Sequence, residues 1–495
     1  MADVPDGRFQ CLSYAPTTAD GHPLMGADYR LPPGLIESDL TALSKLTNCV
    51  RTYSSYGVQQ NVLPIAAKLG MKVLLGMWIG TDSKQNKAEI EAALSVAARH
   101  PEAVRAIVVG NEVLLRREMT GARLAGIIRQ VKARTSLPVA YADVFDFWER
   151  HPAVAEAVDL MLVHVLPYWD DPAPAPVEEM QTRVRDAVAR ARFVFPKARI
   201  EIGEIGWPSA GRSRGQAVPS RVNQARFLRE FAAGADGLGI HYNVVEAVDQ
   251  PWKRVPEGTV GGFWGVLDAD RAAKFPLTGP VREWPDWQWA AGFSAAVALL
   301  FQLAVAVLAR RGRVPWPGMA RALGVAIAGG AAGTCLWMLG AQVEAMAIGL
   351  SGLLWSFYLI AAAAVGGAFL VLRIAGAAGD AVPWGAFRWA VLVPAGIAAL
   401  ALAVDGRHRD FLPLAFILPA VALAVAAWAR RGVSVERRAE DAWIALLLTV
   451  AGPLAVDSLG NVEALIWAGV CLLLAAPGWA AVPAELGRLR RAFAA

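Results

Sequence analysis

The feature that most restricts this chain is a change of character near Trp287. Before it, charged, aromatic and turn residues mix as in a globular domain. After it come long Ala/Leu/Val/Gly runs split by short arginine-bearing links, and no lysine follows Lys274. With 55% hydrophobic residues, the chain is more apolar than ordinary soluble proteins, of which about half at most is apolar. The break predicts a soluble domain over 1–285, long enough for one closed α/β barrel, and a transmembrane domain over 286–495.

Seven spans are expected, near 288–309, 319–341, 346–372, 385–404, 411–429, 442–457 and 461–482, most of them near the ~20 residues that cross a hydrocarbon core. Arginines cluster in alternate links: "RRGR" from Arg310, Arg373 with Arg388, "ARRGVSVERR" from Ala429, and "GRLRR" from Gly487. The other links ("AQVEA", "DGRHRD", "DSLGN") have little excess positive charge. The positive-inside rule then puts the C-terminus in the cytoplasm and the first domain outside. "WPDWQW" from Trp284 sets three indoles where the chain would enter the bilayer. "MADVPDGRFQ" is no signal peptide, so an exporting segment upstream of Met1 is expected. Glu344, Asp457, Asn461 and Glu463 fall mostly at span edges, which favours a multi-helix anchor over a polar pathway.

The net charge of +5 sits largely in those links and does not point to nucleic acid. Cys11, Cys49, Cys335 and Cys471 have no metal-ligand spacing, nor do the six histidines. No metal and no cofactor is expected. Cys11 and Cys49 lie on neighbouring expected strands, where buried free thiols are favoured over a bridge because adjacent parallel strands seldom offer disulfide geometry.

The first domain alternates short β-branched or aromatic runs with amphipathic segments. Strands are expected at 8–14, 49–54, 72–78, 106–112, 138–143, 160–166, 199–204 and 238–246, with helices such as 85–100 and 220–234 between them. Eight strands, each but the last followed by a helix, make a (β/α)₈ barrel, in which chemistry gathers at the C-terminal strand ends. There the sequence places Tyr14, Tyr53, Trp78, Asp143, Tyr168 with Trp169, and Tyr242 with Glu246. Aromatic faces among carboxylates suit a sugar cleft: rings stack on pyranose C–H surfaces and acids hold hydroxyls.

Strand four ends in "GNE" (Gly110 to Glu112) and strand seven at Glu204, within "RIEIGEIGWPSAG". Strands four and seven face each other across the mouth of an eight-stranded barrel. Two acids about 5–5.5 Å apart there would cleave a glycosidic bond with retention, through a covalent glycosyl-enzyme. Glu112 is expected as general acid/base, Glu204 as nucleophile, Asn111 on the sugar 2-hydroxyl and Trp207 as a wall. Alone, Glu112 would read as a surface acid and Glu204 as a buried acid paired with an arginine; together they read as a catalytic pair.

"VVGNE" from Val108, "IGEIGWPSAG" from Ile202, and "YNVVEAVDQPWK" from Tyr242 with "EGTVGGFWGVLDADR" from Glu257 resemble glycoside hydrolase family 17, the β-1,3-glucanases and glucanosyltransferases. The resemblance covers about residues 7–280. It implies a retaining enzyme on β-1,3-glucan with Glu112 and Glu204 in the roles above, and Tyr14, Tyr53, Asn111, Tyr168, Tyr242, Glu246 and Lys253 in the cleft. Ile205 departs from the small or polar residues common in the family, and the membrane fusion departs from its usual soluble members. That fusion resembles bacterial inner-membrane members that make cyclic or branched β-glucans. It implies a periplasmic β-1,3-glucan transglycosylase with glucan donor and acceptor as partners, beside a membrane glucan synthase. A hydrolase or a non-catalytic glucan-binding scaffold are the other readings.

Overall fold

The structure is a computed structural model that describes all residues except 19–20, 22–28, 173, 378–383, 430–438 and 495. His22 and nearly all of the arginine-rich link 429–438 therefore lie outside the described residues. The chain divides into two compact units, one of Met1–Ala210, Ala217–Arg254 and Val260–Glu283, the other of Gly211–Gln216, Val255–Thr259 and Trp284–Ala495.

The first unit is a closed parallel barrel in the order β1 to β8. Its strands are β1 (Leu12–Ser13), β2 (Cys49–Arg51), β3 (Lys72–Met77), β4 (Val104–Asn111), β5 (Val139–Val144), β6 (Leu160–Val165), β7 (Ile200–Ile205) and β8 (Tyr242–Val244). Helices α1 (Leu35–Leu43), α2 (Val62–Lys68), α3 (Ser83–Arg99), α4 (Gly121–Lys132), α5 (Phe145–Arg150) with α6 (Pro152–Ala155), α7 (Met180–Val194) and α8 (Arg221–Leu238) fill the crossovers. The expected (β/α)₈ architecture is the one found. Side-chain oxygens of Asp82, Thr120 and Ser220 accept first-turn amides of α3, α4 and α8, fixing where those helices begin.

Strand alternation separates two apolar layers. Leu12, Val50, Val73, Ile107 and Ile202 join helix residues such as Leu40, Ile90, Leu124 and Phe231 in the main core. A second cluster, Cys11, Cys49, Leu74, Ala106, Val108, Ala140, Ala142, Leu160 and Leu162, holds strand positions and, just before β1, Cys11. This second set fills the barrel itself, and its several alanines suit a narrow interior.

Two expectations are corrected here. Cys11 and Cys49 form a disulfide with Cα atoms 4.5 Å apart, not free thiols. They occupy the register step before Leu12↔Val50 and both face the barrel interior, so this adjacent pair does meet the geometry a bridge requires. The first half of the expected eighth strand is not strand. α8 runs to Leu238 and ends on Gly239 in the left-handed region (φ 57°), leaving only Tyr242–Val244 extended. β1 is likewise shortened to two residues, with Phe9 making an isolated bridge to Thr47.

After a single turn, α9 (Arg254–Glu257), the second unit contains α10 (Trp287–Arg310), α11 (Met319–Met346), α12 (Gly349–Ile374), α13 (Trp384–Val404), α14 (Pro413–Ala429), α15 (Ala439–Leu454), α16 (Val462–Ala475) and α17 (Val482–Ala494). Helices lie at all seven expected places, but among the described residues five are long and apolar enough to cross a membrane: α10 to α13, and α16 continued toward Ala492. At about 1.5 Å per residue, the 17 residues of α14 and 16 of α15 fall short of a ~30 Å hydrocarbon core. Asn461 is the N-cap of α16, accepting from the Ala464 amide at 3.1 Å, and Asp441 pairs with Arg388 at 2.9 Å.

Candidate active site

The sequence twists β4 at its end. Gly110 takes φ 92° and Glu112 φ 51°, a left-handed conformation that non-glycine residues adopt at a cost of about 1–2 kcal/mol. The turn is held by the Glu112 amide on Ala142 O and by the Arg116 amide on Glu112 O, both 2.8 Å. It leaves the Glu112 side chain about a quarter exposed (24%). Across the mouth, β7 delivers Glu204, nearly buried at 6%, after a register irregularity between Ile202 and Ile205.

Glu112, His164 and Glu204 each present one donor atom, and these atoms all lie within 4.8 Å of one another. The carboxylates therefore face one pocket at the separation of a double-displacement pair, not the wider ~6.5–9.5 Å that leaves room for a water.

Arg51, fully buried on β2, organises the floor. Its Nη1 donates to Glu204 Oε1 and to Gly203 O, both at 2.8 Å, and its Nη2 to Asn111 Oδ1 at 2.5 Å. Tyr53 OH also donates to Glu204 Oε1, at 2.9 Å. Both of these side-chain bonds end on Oε1 rather than Oε2. Burial alone would raise the Glu204 pKa, but His164, Arg51, Lys253 and the Tyr53 hydroxyl together hold it below the usual carboxyl value. The site thus keeps one ionised acid beside one reachable acid.

The other expected residues divide by strand face. Asn111 is held by Arg51, and Tyr53 reaches Glu204. Glu246 is buried and accepts from Lys253 Nζ at 2.9 Å. Its pKa is pushed up to about 7, by burial first, with Lys253 opposing. Asp143 is buried behind Glu112, accepting from Tyr141 OH and, at 2.8 Å, from the Val144 amide; burial lifts its pKa to about 6. Tyr168 is the hub of an aromatic cluster with Trp169, Trp207 and Trp264, and Trp169 lies nearly parallel to Trp264 (17°). Trp207 is wholly buried, its Nε1 donating to Val218 O at 3.1 Å and its ring against Phe227. The face of Trp78 is covered by Arg116, 4.3 Å from the ring centre.

Tyr14 and Tyr242 are not brought to the pair. Tyr14 donates to Asp39 of α1 at 2.9 Å, and Tyr242 packs edge-on against Phe231 of α8. Both point outward into the helix layer, one residue out of phase with the inward Ser13 and Asn243. Those two are linked at 2.7 Å, and Asn243 also donates to Gly203 O at 2.9 Å.

Arg51, His164, Ser13 and Asn243 are site residues that the sequence reading did not single out. Period-2 alternation from Tyr53 would have pointed to Arg51, since both face inward, and His164 stands on the interior face of β6 with Leu160 and Leu162.

A sequence profile of the BtgE/BtgC glycoside hydrolase domain matches residues 11–265. The chain is 30% identical over 258 residues to a glucan 1,3-beta-glucosidase of Arthroderma benhamiae, covering 48% of this chain and 82% of that protein. It is 28% identical over 264 residues to a glucan 1,3-beta-glucosidase of Candida albicans, covering 49% and 85%. Among solved structures it is similar to a glycoside hydrolase family 17 beta-1,3-glucanosyltransferase from Rhizomucor miehei, at 27% identity and a TM-score of 0.47, covering 55% of this chain and 97% of that one.

Proposed function

Since the chain belongs to glycoside hydrolase family 17, through its BtgE/BtgC-type domain, we propose that it is a retaining transglycosylase that remodels β-1,3-glucan at a membrane. The observation that carries this reading is the approach of the Glu112 and Glu204 carboxylates to within 4.8 Å, with Arg51 and Tyr53 both bonded to Oε1 of Glu204.

Glu204 Oε2 attacks the anomeric carbon while Glu112 gives its proton to the leaving glucan oxygen, and a glucosyl ester forms on Glu204. Glu112, now a carboxylate, takes the proton of an acceptor hydroxyl, which attacks the same carbon and releases Glu204. Asn111, fixed through its Oδ1 by Arg51, keeps its amide hydrogens for the sugar. Trp169, the partly exposed member of the aromatic cluster around Tyr168, favours a bound sugar over water as acceptor, because a held hydroxyl reacts at a high effective concentration.

Incubation with laminarihexaose tests this: products heavier than the hexaose are expected, and only lighter ones would exclude transfer. Hydrolysis of the same glucan is the second reading, favoured by relatives named glucan 1,3-beta-glucosidase; it would yield lighter products alone. A scaffold reading requires that Glu204→Gln leave glucan processing unchanged.

In this reading residues 1–285 are the catalytic domain, and 286–495 anchor it in a bacterial inner membrane beside a glucan synthase. The Cys11–Cys49 bridge supports an oxidising, extracytoplasmic side for the barrel. The described arginines of alternate links support a cytoplasmic C-terminus. Alkaline phosphatase fused after Ala495 is expected to be inactive; an active fusion would overturn that orientation.

A further inference from the structure

The imidazole of His164 stands between the two acids and has no part in the two steps above. It is fully buried, with Nδ1 2.9 Å from Glu112 Oε1 and Nε2 3.7 Å from Glu204 Oε1. Nε2 is buried without a hydrogen-bond partner among the described residues, an exception that a purely structural histidine would avoid. The backbone makes room for the ring. β6 pairs His164 with Glu204 on β7 and with Val144 on β5, and a β-carbon at Gly203 would stand 3.0 Å from the ring Cδ2 and 2.8 Å from Leu162 Cβ.

We propose that His164 is a positioning residue that shares one proton with Glu112 across their hydrogen bond and, when charged, holds Glu204 ionised. This rests on the catalytic roles proposed for the two acids. In the resting site, Glu112 and His164 hold two protons between them. In one form neutral Glu112 donates its O–H to Nδ1 while Nε2 carries the second proton. In the other, imidazolium Nδ1–H donates to the Glu112 carboxylate. One proton moves along the hydrogen bond, and no other bond changes.

When the leaving oxygen takes that proton and Glu204 forms its ester, the pair retains one proton. That proton is the one on Nε2, so Nδ1 and the Glu112 carboxylate together form the basic site that takes the acceptor hydroxyl's proton. The acceptor's proton then restores the pair as its oxygen bonds to the anomeric carbon and the ester bond to Glu204 breaks.

The charges around the ring fit this cycle. Glu112 on β4 and Glu204 on β7 face it directly, Asp143 on β5 and Arg51 on β2 act on it more weakly, and Tyr53 and Lys253 act on Glu204. Burial lowers the imidazole pKa, but Glu204 and Glu112 outweigh burial and Arg51, so the net direction is upward.

The test is the pH profile of kcat/KM for transfer from laminarihexaose by full-length protein in detergent, wild type against His164→Asn. Both limbs are expected to move inward, the basic limb by about one pH unit or more, a tenfold loss on that side. It falls because the movable proton is left on a lone carboxyl; the acidic limb rises because Glu204 loses a neighbouring cation. A structural role would lower the rate at every pH with both limbs unmoved, and that result would overturn the proposal.

Because His164→Asn can fail to fold, ¹⁵N-imidazole titration of wild type, Glu112→Gln and Glu204→Gln gives a reading independent of turnover. The His164 midpoint should fall in each variant; an unchanged midpoint in both overturns the proposal. If midpoints fall but no glucan product ever forms, the activity assignment fails while the shared proton stands. If product forms and neither limbs nor midpoints move, this inference alone fails.

Discussion

β7 carries two buried acids three positions apart, Glu201 and Glu204, 3% and 6% exposed, and each has arginine partners. Glu201 stands at the strand's start with both oxygens occupied: Oε2 accepts from Arg105 at 2.6 Å and Oε1 from Arg199 at 3.0 Å. Glu204 stands at the strand's end, where Arg51 and Tyr53 both bond Oε1. An arginine beside a buried acid therefore does not mark it as structural. What separates the two is saturation: one carboxylate is closed on both sides, the other is gripped on one side and presented on the other. The barrel's division into a stabilising end and a chemical end is visible along six residues of a single strand.

The comparison breaks most sharply by exchange of each acid for its amide. Glu204→Gln is expected to lose glucan-processing activity on the order of a thousandfold or more, and some stability as well, because the buried Arg51 loses its counter-charge. Glu201→Gln is expected to keep the activity and lose about 1–3 kcal/mol in chemical denaturation. Equal kinetic losses in the two would erase the distinction. Next in size, Arg51→Met should cost about 3–5 kcal/mol, because it strips a buried carboxylate of its partner; denaturation midpoints read this directly. Deleting the interior bridge with Cys11→Ala and Cys49→Ala should cost about 2–4 kcal/mol, read in the same assay, without altering pH limbs.

pH sharpens the comparison further. Glu246, at about 7 when folded, favours folding most when protonated, so its contribution is full below the ordinary carboxyl value and is lost as pH rises through about 7. Asp143 and Asp249, each at about 6 by burial first, act in the same direction. Glu204, held low, acts in the opposite sense: its contribution is full above the ordinary value and is lost as pH falls. A melting temperature that declines from about pH 5 to 7.5, and less steeply in Glu246→Gln, is expected; a parallel slope in the variant would remove Glu246 from the account. The smallest effect is Tyr14→Phe, about 1 kcal/mol from the lost bond to Asp39 with kinetics unaltered, whereas Tyr53→Phe should lower kcat.

Much of this was legible in the sequence because β3 to β7 are long enough to carry a pattern, and the two acids sit in motifs at their ends. β1 and β8 have two and three residues; over so few positions, inward and outward cannot be told apart without register. That is why Tyr14 and Tyr242 were expected in the cleft while their neighbours Ser13 and Asn243 occupy it. The irregularity in β7 hid a second fact, since strict alternation cannot turn both Glu201 and Glu204 inward. His164 stands in no motif, and its place between the acids depends on pairing across three strands. The disulfide depended likewise on where β1 begins against β2.

Among the described residues Glu112 is one of four non-glycine residues with positive φ, beside Asp6, Arg117 and Arg271, and a glycine there would relax the turn. Such a chain would fold more readily and would have no proton to give. In the proposed mechanism the left-handed twist is the cost of where the Glu112 side chain reaches. Stability-driven redesign of this barrel would be drawn to that position first, and it is the position that redesign must leave alone.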